Sequence, residues 1–139
     1  RLAEIRAAIP ADVPLYLKGV QTAEGALAAV RLGVRGLVVS NHGGRCCGGS
    51  RAALAGLEEI SAALAEEGLL SSVELYYDGG VRSGRDVLKA LCLGARGVGL
   101  GRPYYWATGA YGEEGLLALL RLLKGELRFA MAQVGAASL

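Results

Sequence analysis

Val13-Pro14-Leu15-Tyr16-Leu17-Lys18-Gly19 and Val73-Glu74-Leu75-Tyr76-Tyr77-Asp78-Gly79-Gly80 share one pattern, an apolar run that ends in a charged residue and glycine. Each leads through a helix-like stretch to a Leu-Gly-x-Arg-Gly turn, Leu32-Gly33-Val34-Arg35-Gly36 in the first copy and Leu93-Gly94-Ala95-Arg96-Gly97 in the second. Strand, glycine loop, helix, turn and strand form the alternation of a parallel sheet covered by helices. A period of roughly 60 residues holds two βα units, a quarter of an eight-stranded barrel. Two copies predict an α/β fold, half of a TIM (β/α)8 barrel with four parallel strands alternating with helices.

Such a barrel takes about 250 residues when complete, and the chain has 139. Residues 1–139 therefore read as a single partial domain, the carboxyl-terminal half of the barrel. The absent amino half is its expected partner. Strands are expected at Pro14–Leu17, Gly36–Ser40, Val73–Tyr77 and Gly97–Leu100. Their helices are expected at Thr22–Leu32, Leu54–Glu67, Gly84–Leu93 and Glu113–Met131, with an earlier one over Arg1–Ile9. Without the first four strands, the sheet is expected to have two open edges and an uncovered apolar face. Association into a homo-oligomer is one way to cover them.

Composition fits a buried α/β unit, with 53% hydrophobic and 20% charged residues and 22 glycines. A net charge of +2 and an aromatic content of 6% argue against nucleic-acid binding, which calls for basic patches and stacking platforms. No apolar run reaches the roughly 20 residues that cross a bilayer, and the start lacks the features of a signal peptide. The expectation is a soluble intracellular protein, with mitochondrial, cytosolic and peroxisomal placement left open. Of the three cysteines, Cys46 and Cys47 are adjacent and Cys92 falls on a helix expected to pack on the sheet. This gives no disulfide framework and suits a reducing compartment. His42 is the only imidazole, so no metal site is expected.

Functional loops of (β/α) barrels follow the carboxyl ends of the strands. Here those ends carry Lys18, then His42 and Arg45, then Asp78 and Arg82, then Arg102. A histidine can accept a proton near neutral pH, and an arginine three residues on can grip a carboxylate with two parallel hydrogen bonds. Asp78-Gly79-Gly80-Val81-Arg82 and Gly101-Arg102-Pro103 resemble a phosphate cradle. Their glycines admit an anion to the backbone amides, and their arginines neutralise it. Asp78 would repel phosphate, so its expected task is to accept hydrogen bonds from hydroxyls farther along the ligand. A small organic acid and a phosphate on a polyhydroxy chain are the implied ligands. Tyr76, Tyr77, Tyr104, Tyr105 and Trp106 are read as packing residues, and Phe129 and Met131 as core.

These segments, with Asp86-Val87-Leu88-Lys89-Ala90-Leu91, resemble in order and spacing the carboxyl half of the FMN-dependent α-hydroxy acid dehydrogenases and oxidases, from about Val13 to Leu139. Cys92 to Pro103 and Tyr111-Gly112-Glu113-Glu114-Gly115 are most like the fungal flavocytochrome lactate dehydrogenases of that family. The resemblance implies FMN as cofactor and oxidation of an L-2-hydroxy acid, L-lactate above others, to the 2-keto acid. It further implies Lys18 at the flavin N1–C2=O edge, His42 as catalytic base and Arg45 on the substrate carboxylate. Asp78 would hold the ribityl hydroxyls, and Gly79, Gly80, Arg82, Gly101 and Arg102 the phosphate. The family's amino half supplies tyrosines to the substrate pocket, contacts to the flavin ring and an aspartate for the histidine. After Arg45 the family usually continues Gln-Leu-Asp, where this chain has Cys46-Cys47-Gly48. Two rival readings accompany this one. One is an inactive FMN- or phosphate-binding half barrel. The other is different chemistry on a related barrel, as in inosine-phosphate dehydrogenases and flavin-dependent isomerases, which lack the His42 to Arg45 pairing.

Overall fold

The computed structural model describes residues 1–139. Helix α1 (Leu2–Ala8) precedes strand β1 (Tyr16–Val20), helix α2 (Ala23–Arg31) and strand β2 (Gly36–Ser40). Helix α3 (Ala53–Glu66), strand β3 (Glu74–Asp78), helix α4 (Gly84–Cys92), strand β4 (Gly97–Gly99) and helix α5 (Arg102–Gln133) follow. The sheet is parallel throughout, in the order β1-β2-β3-β4. This is the alternation that the repeat predicts.

Strand β1 and helix α5 depart most from the expected bounds. Strand β1 begins later, at Tyr16, and runs on to Val20. Gly19 adopts φ 92° at a register shift between Lys18 and Val20, so the glycine that reads as a terminator is a bulge inside the strand. Lys18 thus belongs to β1 itself. Helix α5 begins at Arg102, well before Glu113, because Gly101 serves as its N-cap with Pro103 in the first turn, where a missing N–H costs nothing. Its axis breaks at Gly112, with φ 59° and ψ −139°, so the helix expected from Glu113 is the segment that follows the break.

Alternation along the strands separates two faces. Leu37, Val39, Leu75 and Tyr77 point toward the helices and are buried with Ala26, Leu57, Ile60 and Leu64 in one core. The opposite face would line a barrel interior, and it is not the apolar surface expected. Tyr16, Lys18, Ser40, Glu74, Tyr76 and Asp78 occupy it, in register rows Tyr16–Gly36–Glu74 and Lys18–Val38–Tyr76–Gly97. Neighbouring side chains satisfy its polar groups.

At the floor of this face, Glu74 accepts hydrogen bonds from Tyr16 (2.8 Å) and Tyr76 (3.1 Å) and ion-pairs with Arg35 (3.0 Å) and Arg96 (3.3 Å). The arginines of the two repeated turns thus converge on one carboxylate. The final glycines of those turns admit the tyrosines: a Cβ on Gly36 would lie 2.4 Å from the Tyr16 ring, and one on Gly97 would lie 3.4 Å from Tyr76. Other expected packing residues face outward. Tyr105 is 70%, Trp106 58% and Phe129 66% exposed, since α5 lies at the end of the sheet and contacts chiefly α4. Cys92 is also exposed, at the last turn of α4.

Ser83 and Asp86 form a reciprocal capping box at the start of α4. Ser83→Ala is expected to lower stability by about 1 kcal/mol, the usual loss for such a cap, as read from a urea midpoint.

Three carboxylates ionise more readily than usual. Glu74 is held low by the Tyr16 hydroxyl first, and by Tyr76 and its arginines. Glu59 is held low by the Ala23 amide first, and by Arg51. Burial raises Asp86, but bonds from the Arg82 and Ser83 amides and the Ser83 hydroxyl outweigh it. A carboxylate whose folded pKa is depressed contributes stability that is complete above its unfolded value and is lost as pH falls through the folded one. The melting temperature should therefore fall as pH drops below about 4, and fall less steeply in Glu74→Gln. Identical pH slopes would remove Glu74 from this account.

Candidate active site

The carboxyl ends of the strands bring the expected residues onto one rim. Lys18 Nζ on β1 donates to Ser40 Oγ at 3.0 Å and pairs with the Asp78 carboxylate at the end of β3. The Ser40 hydroxyl donates to the other Asp78 oxygen and accepts the His42 backbone N–H at 3.1 Å. Ser40 is fully buried, so each of these contacts fixes its hydroxyl. One serine, which the sequence reading passes over, joins the lysine, the aspartate and the histidine backbone.

His42 has φ 52°, the one non-glycine residue in the left-handed region, followed by Gly43 at 67° and Gly44 at 74°. Such a conformation costs a non-glycine residue of order 1–3 kcal/mol and persists where the surroundings enforce it. Here they do so twice: Ser40 holds the His42 amide, and Asn41 Oδ1 accepts the Gly43 amide at 3.0 Å. The imidazole lies against the β1 bulge, where a Cβ on Gly19 would be 3.1 Å from Cε1 and 3.7 Å from Nδ1. Nε2 is the ring nitrogen farther from that position. Arg45 follows on the same loop, exposed and in no ion pair.

Beside this loop is a cleft of about 290 Å³, lined by Asn41, Gly43, Ala53, Gly79, Gly80 and Arg102 among others. Gly79 and Gly80 have φ 103° and 96°, and neither amide donates to another protein group. A Cβ on Gly79 would lie 2.5 Å from Asn41 Oδ1 and 3.3 Å from Ala53 Cβ, so only glycine leaves the cleft open. Arg102 brings its guanidinium to the same place, donating to the Gly43 carbonyl at 3.2 Å. Asp86 also lines the cleft, but its carboxylate is committed to the Arg82 and Ser83 amides. The structure does not bring Arg82 or Gly101 into the cleft wall. The Arg82 guanidinium lies over the Trp106 ring, 5.8 Å from its centroid, and Gly101 caps α5. Free amides, obligatory glycines and one arginine are donors that could receive an anion.

The model of the FMN-dependent dehydrogenase family matches residues 1–139. The chain belongs to that family. It is 47% identical over 123 residues to L-lactate dehydrogenase (cytochrome) of Wickerhamomyces anomalus, covering 88% of this chain and 22% of that one. It is 46% identical over 126 residues to 2-Hydroxyacid oxidase 2 of Mus musculus, covering 91% of this chain and 34% of that one. Among solved structures, a mutant flavocytochrome b2 with pyruvate bound superposes with a TM-score of 0.91 at 42% identity, covering 99% of this chain and 34% of that one. A mandelate oxidase mutant with a monooxide FMN adduct gives 0.84 at 44% identity, covering 97% and 41%. The chain thus spans between 22% and 34% of the length of the two curated relatives. Its fold is that of four βα units of the family's TIM barrel.

Sequence reasoning missed Ser40 and Asn41. The signals for both were present: a serine at the inward-facing end of a strand, and an asparagine ahead of a glycine pair, where its side chain closes a local turn.

Proposed function

We propose that the chain carries the catalytic rim of an FMN-dependent L-2-hydroxy acid dehydrogenase, with L-lactate as substrate, and forms part of a single domain completed by an amino half. The observation that carries this reading is the left-handed His42 turn, which holds a proton acceptor and an unpaired arginine three residues apart beside an anion cradle. The donor set fits FMN. Gly79, Gly80 and Arg102 would hold its phosphate, with Arg82 and Gly101 at the border, and Asp78, Ser40 and Lys18 would line its polar chain and ring edge. Bound there, FMN would supply the acceptor for the two electrons lost when a 2-hydroxy acid becomes a 2-keto acid.

The protein's own groups do the rest. Arg45 binds and orients the substrate carboxylate through a planar fork. His42 takes a substrate proton at Nε2, from either the α-carbon or the hydroxyl. Lys18 places a positive charge, already oriented by Ser40 and Asp78, where negative charge accumulates.

The test is the visible spectrum of the chain mixed with FMN, followed by anaerobic addition of L-lactate. Bleaching that His42→Ala abolishes supports the full reading. A perturbed spectrum that lactate cannot bleach supports a cofactor-binding unit whose catalysis needs the other half of the barrel, and an unperturbed one counts against FMN binding by this chain. Gly79→Ala should weaken FMN binding by about tenfold or more, a loss of ~1.4 kcal/mol, because its Cβ would crowd Asn41 in the cradle. Unchanged affinity would remove the cleft from the phosphate site.

A further inference from the structure

We propose that Cys46 and Cys47 are a modification site, a vicinal dithiol that closes reversibly to a ring disulfide by exchange with a small carboxylate-bearing disulfide such as glutathione disulfide. Both thiols are exposed. Their one hydrogen bond is local, from Cys47 Sγ to the Gly48 carbonyl at 3.7 Å, so no hydrogen bond to another part of the fold holds either sulfur in place. Gly48 and Gly49 follow, the latter with φ 77°. A Cβ at either would meet nothing within 4 Å, which leaves the loop room to rearrange. Arg45, adjacent and without an ion-pair partner, offers a cation to the reagent's carboxylates. No group of three or more His, Cys, Asp or Glu residues is placed to hold a metal ion, so the sulfurs have no competing metal ligation.

In the first step, one cysteine thiolate attacks the small disulfide, forms a mixed disulfide and releases one glutathione thiolate. The neighbouring thiolate then attacks the protein sulfur of that bond, closes Cys46 to Cys47 and expels the second glutathione. The dithiol loses two electrons and two protons; the reagent gains both as two thiols. Cα atoms joined by a trans peptide are about 3.8 Å apart, and no peptide here is cis. Ordinary disulfides join Cα atoms roughly 4.4–6.8 Å apart. The ring is therefore strained, and strained disulfides are the readily reduced, labile ones. Closure twists the backbone immediately after Arg45. Its effect on ligand binding rests on the substrate role proposed for that arginine, whereas the sulfur chemistry does not. Cys92 provides an internal contrast. It is exposed but solitary, at the opposite end of the sheet from the His42 loop, and should stop at the mixed disulfide.

The experiment treats the chain with glutathione disulfide, maps the cysteine peptides by mass, and repeats the mapping after dithiothreitol and in Cys46→Ser and Cys47→Ser. The expected result is a Cys46–Cys47 peptide lighter by two hydrogens and free of glutathione, restored by dithiothreitol. Each single variant and Cys92 should instead retain one glutathione. A wild-type peptide that keeps glutathione on Cys46 or Cys47, or stays unmodified, overturns the proposal. Pyruvate titration of the FMN-loaded protein separates the two claims. Closure should weaken pyruvate binding by about tenfold, and equal affinity in both forms overturns the link to Arg45. If pyruvate binds neither form, the reading of Arg45 as a carboxylate binder fails, while the mass result still decides the thiol chemistry.

Discussion

Replacing His42 by asparagine is expected to slow 2-hydroxy acid oxidation by the FMN-loaded protein about 10²- to 10⁴-fold, the range for loss of a positioned general base, while FMN still binds. Asparagine is the informative substitution because of the backbone. His42 sits at φ 52°, a conformation that asparagine tolerates better than most residues, and its amide can still donate to Ser40 Oγ, as His42 does at 3.1 Å. The turn is kept and the imidazole removed. Single-turnover absorbance of the flavin after anaerobic mixing with L-lactate measures the rate, and the spectrum before mixing reports binding. Retention of the rate to within about threefold, well short of the usual effect, would sink the assignment of His42 as base. Loss of FMN binding would instead show that the ring's packing on Gly19 supports the cradle.

Leu57→Ala should cost about 2–5 kcal/mol, the range for emptying a large buried aliphatic site. Leu57 is fully buried on α3, within the same core as Leu37, Val39 and Leu75 of the sheet. Its loss leaves a void between the helix and sheet layers, at a cost set by how far they can collapse into it. Native domains are stable by only some 5–15 kcal/mol, so this single change should bring the chain close to unfolding. Phe129→Ala makes the contrast. Although an aromatic residue on an apolar helix reads as core, Phe129 is 66% exposed, and its removal should change stability by no more than about 0.5 kcal/mol. Urea midpoints at constant slope decide both. A larger loss from Phe129 than from Leu57 would refute the core described above.

Most of the rim was legible in the sequence because strand ends and glycine loops are written locally. Lys18, His42, Asp78 and Arg102 each follow an apolar run, and parallel βα order is enough to bring them together. Four features were not fully legible, each for a physical reason. Gly19 reads as the end of a strand, since nothing local distinguishes a bulge from a turn. The exposure of Tyr105 and Trp106 depends on what α5 packs against, which no periodicity within the helix states. The polarity of the sheet's open face was hidden because strands buried on one side only alternate, and Tyr16-Leu17-Lys18 read as an apolar run with a charged end. Ser40 was missed because its place at an inward-facing strand end was legible while its three partners, which come from β1, β3 and the His42 turn, were not.

The register rows hold one further piece of information. Tyr16 lies level with Glu74, yet the repeat aligns Glu74 with Pro14 and aligns Tyr16 with Tyr76. Passing across two strands therefore displaces equivalent residues by two positions along the chain. Carried through four such pairs, that displacement sums to about eight, the shear at which an eight-stranded barrel closes on itself. The stagger needed for closure is thus already present in these four strands. Any segment that completes the ring must continue the same slant, and a sheet with a different displacement per strand would meet these edges out of step.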